Sequence, residues 1–271
     1  MNLFEPFQYA FMRSAALAGL VVGVTCALVG TYVVVRRMAF IGDALAHTVL
    51  PGLVIAYLNR WSMNLGALVA GVITALGIGW LSKRRELRED TAIGIMFTAM
   101  FALGILLMSS ARTLRDLSHM LFGNILGVTQ EQLGLFSGIA FGVLAILLAL
   151  HKELELTSFD LLHAQAVGID ADRLRYVLLV LIALAVVGAV QLVGVVLTSA
   201  LLIVPPAAAA LLAKRLPLIM LTAAVIAVLS TWIGLLVSYY FDVASGAAIV
   251  LVCIAWFGAA WGVRRLIRRA A

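Results

Sequence analysis

Asp43 and His47 stand four residues apart in A-F-I-G-D-A-L-A-H-T-V-L-P-G, residues 39–52, a stretch otherwise apolar enough to cross a membrane. A carboxylate at the centre of a bilayer helix costs roughly 2.5–3.5 kcal/mol on insertion scales. At a spacing of i, i+4 the two side chains share one helical face. Carboxylate plus imidazole on one face is the smallest set that can grip a transition-metal ion. The same pair has a plain structural reading. Asp43 would cap a helix beginning at Ala44, or pair with Arg36 or Arg37, and His47 would bond a backbone carbonyl. Pro51-Gly52 interrupts the helix four residues on, and broken helices near ion sites turn free carbonyls towards a pathway.

The elements that must hold this pair are membrane helices. The chain of 271 residues is 64% hydrophobic and 12% charged, with a mean hydropathy of +1.14. Soluble domains run at about 45–50% apolar and about 25% charged. No charged residue occurs in 14–35, 61–82, 91–111, 132–150, 176–213, 216–241 or 243–263, and 38–59 holds only Asp43. These stretches have the length of about 20 residues that an α-helix needs to span hydrocarbon. A β-barrel would alternate in segments of about ten. The expected fold is all-α: a polytopic transmembrane bundle of about eight or nine spans, forming one membrane domain over 1–271. The stretch 176–213 would reach about 57 Å as one helix, so two crossings are expected, with a bend or re-entrant portion at Pro205-Pro206.

Charge placement gives the topology. With the N-terminus outside, 15 of the 19 basic residues fall on the opposite side, in the groups at 36–37, 83–88, 152–175, 214–215 and 264–269. The positive-inside rule then puts the C-terminus and the 151–175 loop in the cytoplasm. The basic excess is a topology signal and gives no reason to expect nucleic acid as a partner; the surroundings are membrane lipid. The first residues lack a basic region and a cleavage site, so the first span is expected to act as an uncleaved insertion signal. Cys26 and Cys253 read as buried, inert thiols.

The connection 151–175 mixes charges with Phe159, Leu161, Leu162, Ala166, Val167 and Ile169 at a spacing that suits a short amphipathic helix. Ser158 could cap its start and Gly168 could end it. It is either a connector lying on the membrane surface or a helix that docks into another protein. Gly19/Gly23, Gly134/Gly138/Gly142 and Gly258/Gly262 have small-xxx-small spacing, read chiefly as packing within the chain. No G-x-x-x-x-G-K-[ST] loop occurs, so the chain does not bind ATP in that manner, and neither H-E-x-x-H nor G-x-S-x-G is present. His119, His151 and His163 fall in connections.

R-R-M-A-F-I-G-D-A-L-A-H-T-V-L-P-G (36–52) resembles the signature of the ABC-3 type metal-ion ABC transporter permeases, which import manganese, zinc or iron into bacteria. D-L-S-H-M-L-F-G-N-I-L (116–126), the segment from Phe159-Asp160 to Gly168, and L-V-G-V-V-L-T-S-A-L-L-I-V-P-P-A-A-A-A-L-L (192–212) resemble further parts of that family in the same order. Pro206 departs from the family, which has alanine there. The resemblance implies a permease subunit of the bacterial inner (cytoplasmic) membrane, working as a homodimer on two cytoplasmic ATPase subunits and fed by an extracytoplasmic metal-binding protein. The chain would be no enzyme and would bind no cofactor; ATP would be hydrolysed on the partner. Asp43 and His47 would contact the transported divalent ion (Mn2+, Zn2+ or Fe2+). A segment within 152–175, with Phe159, Asp160, Leu161, Leu162 and Gly168, would couple to the ATPase. Gln191 and Thr198 could add oxygens. V-L-P-G after His47 resembles the manganese-type members. The alternatives are a permease for a metal chelate such as a siderophore or corrinoid, and an intramembrane enzyme using Asp43 and His47 as an acid–base pair.

Overall fold

The computed structural model describes residues 5–83, 87–111 and 125–270, and the side chains of all of these except 110, 111 and 268–270. Among the described residues there are no strands, and twelve α-helices carry the fold. They are α1 (Ala10–Val35), α2 (Ile41–Thr48), α3 (Leu50–Leu58), α4 (Met63–Ser82), α5 (Glu89–Ala111), α6 (Gln130–Ala149), α7 (His151–Phe159), α8 (Leu161–Ala166), α9 (Ala171–Val193), α10 (Val195–Leu212), α11 (Leu216–Phe241) and α12 (Ser245–Ala270). Counting α2 and α3 as one crossing, nine helices among the described residues are long and apolar enough to span a membrane. The segment 116–124, in which His119 falls, lies outside the described residues.

α1 is the central post, with α6, α9, α10 and α11 packed around it. Ala15, Ala18, Val22, Cys26, Val29 and Val33 along it have no exposure. A helix apolar all round needs neighbours all round, and this one has them. α3, α4 and α5 form a second group, joined to the post through α9. There Gly52 on α3 and Gly66 on α4 each lie where the other's side chain would stand, so the two backbones touch. α5, α6 and α12 show most of their surface outward. Gly134, Gly138 and Gly142 on α6, and Gly258 and Gly262 on α12, have nothing within 4 Å at their Cβ positions. Packing inside the chain, the expectation for those glycines, holds for Gly19 and Gly23 against α11.

The two crossings expected in 176–213 are present, but the break is at Gly194 rather than at the prolines. Gly194 adopts φ 87°, ψ 169°, a region essentially closed to residues with a Cβ. Its N–H bonds the Val190 carbonyl at 2.9 Å. Pro205 and Pro206 lie inside α10. Pro206 has no N–H to offer the Leu202 carbonyl, and that carbonyl occupies the space a side chain would fill at Gly30 of α1. The lost helical bond is thereby converted into a close helix crossing.

Pro51 acts in a similar way on α2. It cannot donate to the His47 carbonyl four residues back. The helix stops at Thr48, the Val49 N–H turns onto the His47 carbonyl, and α3 begins with Pro51 in its first turn.

Candidate metal-ion site and coupling arm

α2 starts at Ile41 with Phe40 as its N-terminal flank, so Asp43 lies within the first turn and does not cap a helix at Ala44. The helix dipole favours a carboxylate there by about 0.3–1 kcal/mol, less than the roughly 2.5–3.5 kcal/mol cost of burying it in a span. Neither Arg36 nor Arg37 is an ion-pair partner of Asp43. Among the described residues its one such neighbour is His47, with Asp43 Oδ1 and His47 Nε2 3.8 Å apart.

His47 has aromatic neighbours on α5. The imidazole stands edge-on to Phe97 and Phe101 of α5, at 6.1 and 5.9 Å between ring centroids. Phe97 and Phe101 are themselves stacked at 5.7 Å, and Phe40 meets Phe97 at 5.7 Å. At 1.5 Å per residue, Phe97 and Phe101 are about 12 and about 18 Å from the start of α5. Phe40 and His47, on either side of Asp43 in the sequence, therefore both pack against the middle of α5. The open face of Gly42 lies against Leu202 and Ser199 of α10.

At 3.8 Å the pair is within ion-pair range but too far apart for a good hydrogen bond. The His47 Nδ1 atom is buried without a partner, so the carbonyl bond of the structural reading is absent. The side chains of His47 and Asp43 retain 31% and 45% of their exposure on the same open face. One ion at about 2.0–2.2 Å from each atom would span this gap at an angle of about 120–140°. Among the described residues no group of three or more His, Cys, Asp or Glu side chains gathers to hold a metal. Asp43 and His47 together offer one carboxylate and one imidazole, fewer than the four or more ligands a divalent metal takes.

The structure does not bring the other two candidates to this pair. The Thr198 hydroxyl is buried and donates to the Gly194 carbonyl at 2.7 Å. Gln191 lines a small cavity with Asn64 and Gln132, between α4, α6 and α9. Ser199 is the residue that sequence reasoning missed. Its Oγ is buried without a partner and lies 3.7 Å from the Cβ position of Gly42, next to Asp43. Only the crossing of α10 over α2 reveals it.

The second set of candidate residues forms an arm, α7 and α8, at the end of the bundle where α1 and α4 finish and α9 starts. Asp160, not Ser158, caps α8, accepting the His163 N–H at 2.9 Å. Gly168, at φ 86°, ends it, with the Ile169 N–H bonded back to the Ala164 carbonyl at 3.0 Å. Leu154 and Ala164 pin the arm inward at zero exposure, whereas Phe159, Leu161 and Leu162 are at least half exposed. A cavity of about 720 Å³ separates arm from bundle.

The family model described as the ABC 3 transport family matches residues 8–262. The chain belongs to that family. It is 45% identical over 258 residues to the manganese transport system membrane protein MntC of Halalkalibacterium halodurans, covering 95% of this chain and 88% of that protein. The chelated iron transport system membrane protein YfeD of Yersinia pestis is 38% identical over 253 residues, covering 93% of this chain and 85% of its own length. Among solved structures, PsaBC from Streptococcus pneumoniae in complex with Fab is similar at a TM-score of 0.82 and 33% identity, covering 96% of this chain and 94% of that one. A multi-pass helical bundle is thus both the observed fold and the fold of the relatives.

Proposed function

We propose that the chain is the permease subunit of an ATP-driven importer of divalent transition-metal ions, with Asp43 and His47 as ligands in the path. The observation that carries this is a carboxylate and an imidazole 3.8 Å apart on one partly exposed face inside a span, with His47 Nδ1 buried and unpartnered. Asp43 supplies negative charge, and neutral His47 supplies Nε2. Divalent metals take four or more ligands, so water or further groups complete the set; the unit is a homodimer in this reading, as the family resemblance implies. A site of few ligands also releases what it binds, as transport demands.

In this reading the ATPase subunits meet the arm from the cytoplasm, through the coupling segment at about 152–175 with Phe159, Asp160, Leu161, Leu162 and Gly168. The C-terminus lies on that same side, in a bacterial inner membrane, and an extracytoplasmic binding protein delivers metal at the opposite face. The whole of 1–271 serves as one permease domain. Manganese is the preferred ion because MntC, a manganese transport protein by name, shares 45% of its matched residues. The name of YfeD favours a second reading, import of a chelate.

Cellular manganese, zinc and iron, measured with and without this subunit, test the proposal. A manganese deficit is expected. A deficit confined to zinc would overturn the choice of metal. Uptake that is competed by an iron chelate but not by free Mn2+ would replace the ion with the chelate.

A further inference from the structure

The arm is tied to the end of α1 through a half-buried cation. Arg36, the first residue past α1, donates from Nε to Ser158 Oγ and from Nη2 to Thr157 Oγ1, each at 3.0 Å. Both hydroxyls give their own protons to the Leu154 carbonyl, at 2.6 and 3.2 Å. Their lone pairs are therefore free to receive the guanidinium, which matches them as a fork matches two tines. One turn up α1, the Tyr32 hydroxyl meets His151 Nδ1 at 2.7 Å. Burial pushes the Arg36 guanidinium down from its ordinary value, and Glu89 at the start of α5 pulls it back up. The ordinary value is high enough that the charge survives at neutral pH.

The link that follows Arg36 leads directly to the ion-binding helix. Arg37 takes a left-handed conformation, φ 60°. The Met38 N–H bonds the Val33 carbonyl at 2.9 Å, and its own carbonyl receives the Ile41 N–H at 3.0 Å. Met38 is buried at 2% exposure. The N–H groups of Arg36, Arg37, Met38 and Ile41 are thus all bonded and Met38 is packed, which restrains the link. The cavity of about 720 Å³ beside it leaves the arm room to move against the bundle.

We propose that Arg36 is a positioning residue that passes displacement of the α7–α8 arm into α2 and so reorients Asp43 and His47. This rests on the reading that the arm meets an ATPase and that α2 holds the ion. A clamp that served only stability would leave the number of ions moved per ATP unchanged.

That ratio is the test, measured for manganese with the complete complex of permease and ATPase in proteoliposomes. Arg36→Ala is expected to lower it by about tenfold, the equilibrium weight of one charged hydrogen bond, while hydrolysis continues. Arg36→Lys, which keeps the charge and one donor at a time, should restore part of the ratio. Thr157→Val with Ser158→Ala removes the acceptors and keeps Arg36, and it should reproduce the fall even if Arg36→Ala does not fold. An unchanged ratio in that double variant, or a loss of transport matched by an equal loss of hydrolysis, would overturn the proposal. Asp43→Ala run alongside separates the two levels. Lost transport there with unchanged Arg36 variants overturns only the role of Arg36, whereas full transport by Asp43→Ala removes the reading that α2 holds the ion, and this proposal with it.

Discussion

Asp43 and His47 share a face and stand 3.8 Å apart, in ion-pair range but beyond a good hydrogen bond. The buried, unpartnered Nδ1 of His47 adds to the cost, since an orphaned buried donor loses about 1–3 kcal/mol. A bound cation at Nε2 would offset part of this by neutralising the carboxylate. Backbone chemistry at single residues matters as much as side chains. Gly194 sits at φ 87°, ψ 169°, and its carbonyl receives both the N–H and the hydroxyl of Thr198. Gly194→Ala should cost about 1–3 kcal/mol, read as a lowered unfolding midpoint in detergent. A midpoint equal to wild type would show that α9 and α10 can be joined without this conformation.

At the level of elements, the arm is built for contact on two sides. Its inner face is pinned by Leu154 and Ala164, while Leu162 is 80% exposed beside Phe159. Exposed apolar side chains grouped outside a membrane span mark an interaction surface. Leu162→Glu should therefore weaken co-purification of the ATPase by about tenfold, about 1.4 kcal/mol, the scale of one buried Leu side chain, without changing the stability of the isolated permease. Wild-type co-purification would remove Leu162 from the interface. The sequence signals for this arm were good: apolar spacing, and a glycine where the helix ends. The cap was misassigned because Ser158 and Asp160 are both strong capping types. Ser158 is drawn away by Leu154 and Arg36, and that competition depends on α1.

For the molecule as a whole, hydropathy sufficed for nine spans because each crossing must be apolar over its full length. Pro205-Pro206 drew the expected break away from Gly194. Proline is the stronger local signal, but here the freed Leu202 carbonyl is absorbed at Gly30, a tertiary contact invisible along the chain. Asp43 and His47 were legible from their spacing. Ser199 was not, since its hydroxyl reaches α2 only through the α10 crossing. Nor was the Arg36 clamp, whose partners are 121 and 122 residues away. All these contacts converge on one arrangement, an arm at one end of the bundle tied through Arg36 to the chain that leads into α2, the helix of Asp43 and His47. The claim on which that arrangement depends is best tested by manganese uptake into proteoliposomes holding the permease with its ATPase, for wild type, Asp43→Ala and His47→Ala. The account predicts that each variant assembles with the ATPase and loses uptake by at least about tenfold, the weight of about 1.4 kcal/mol of ion binding. Wild-type uptake by both variants would contradict it.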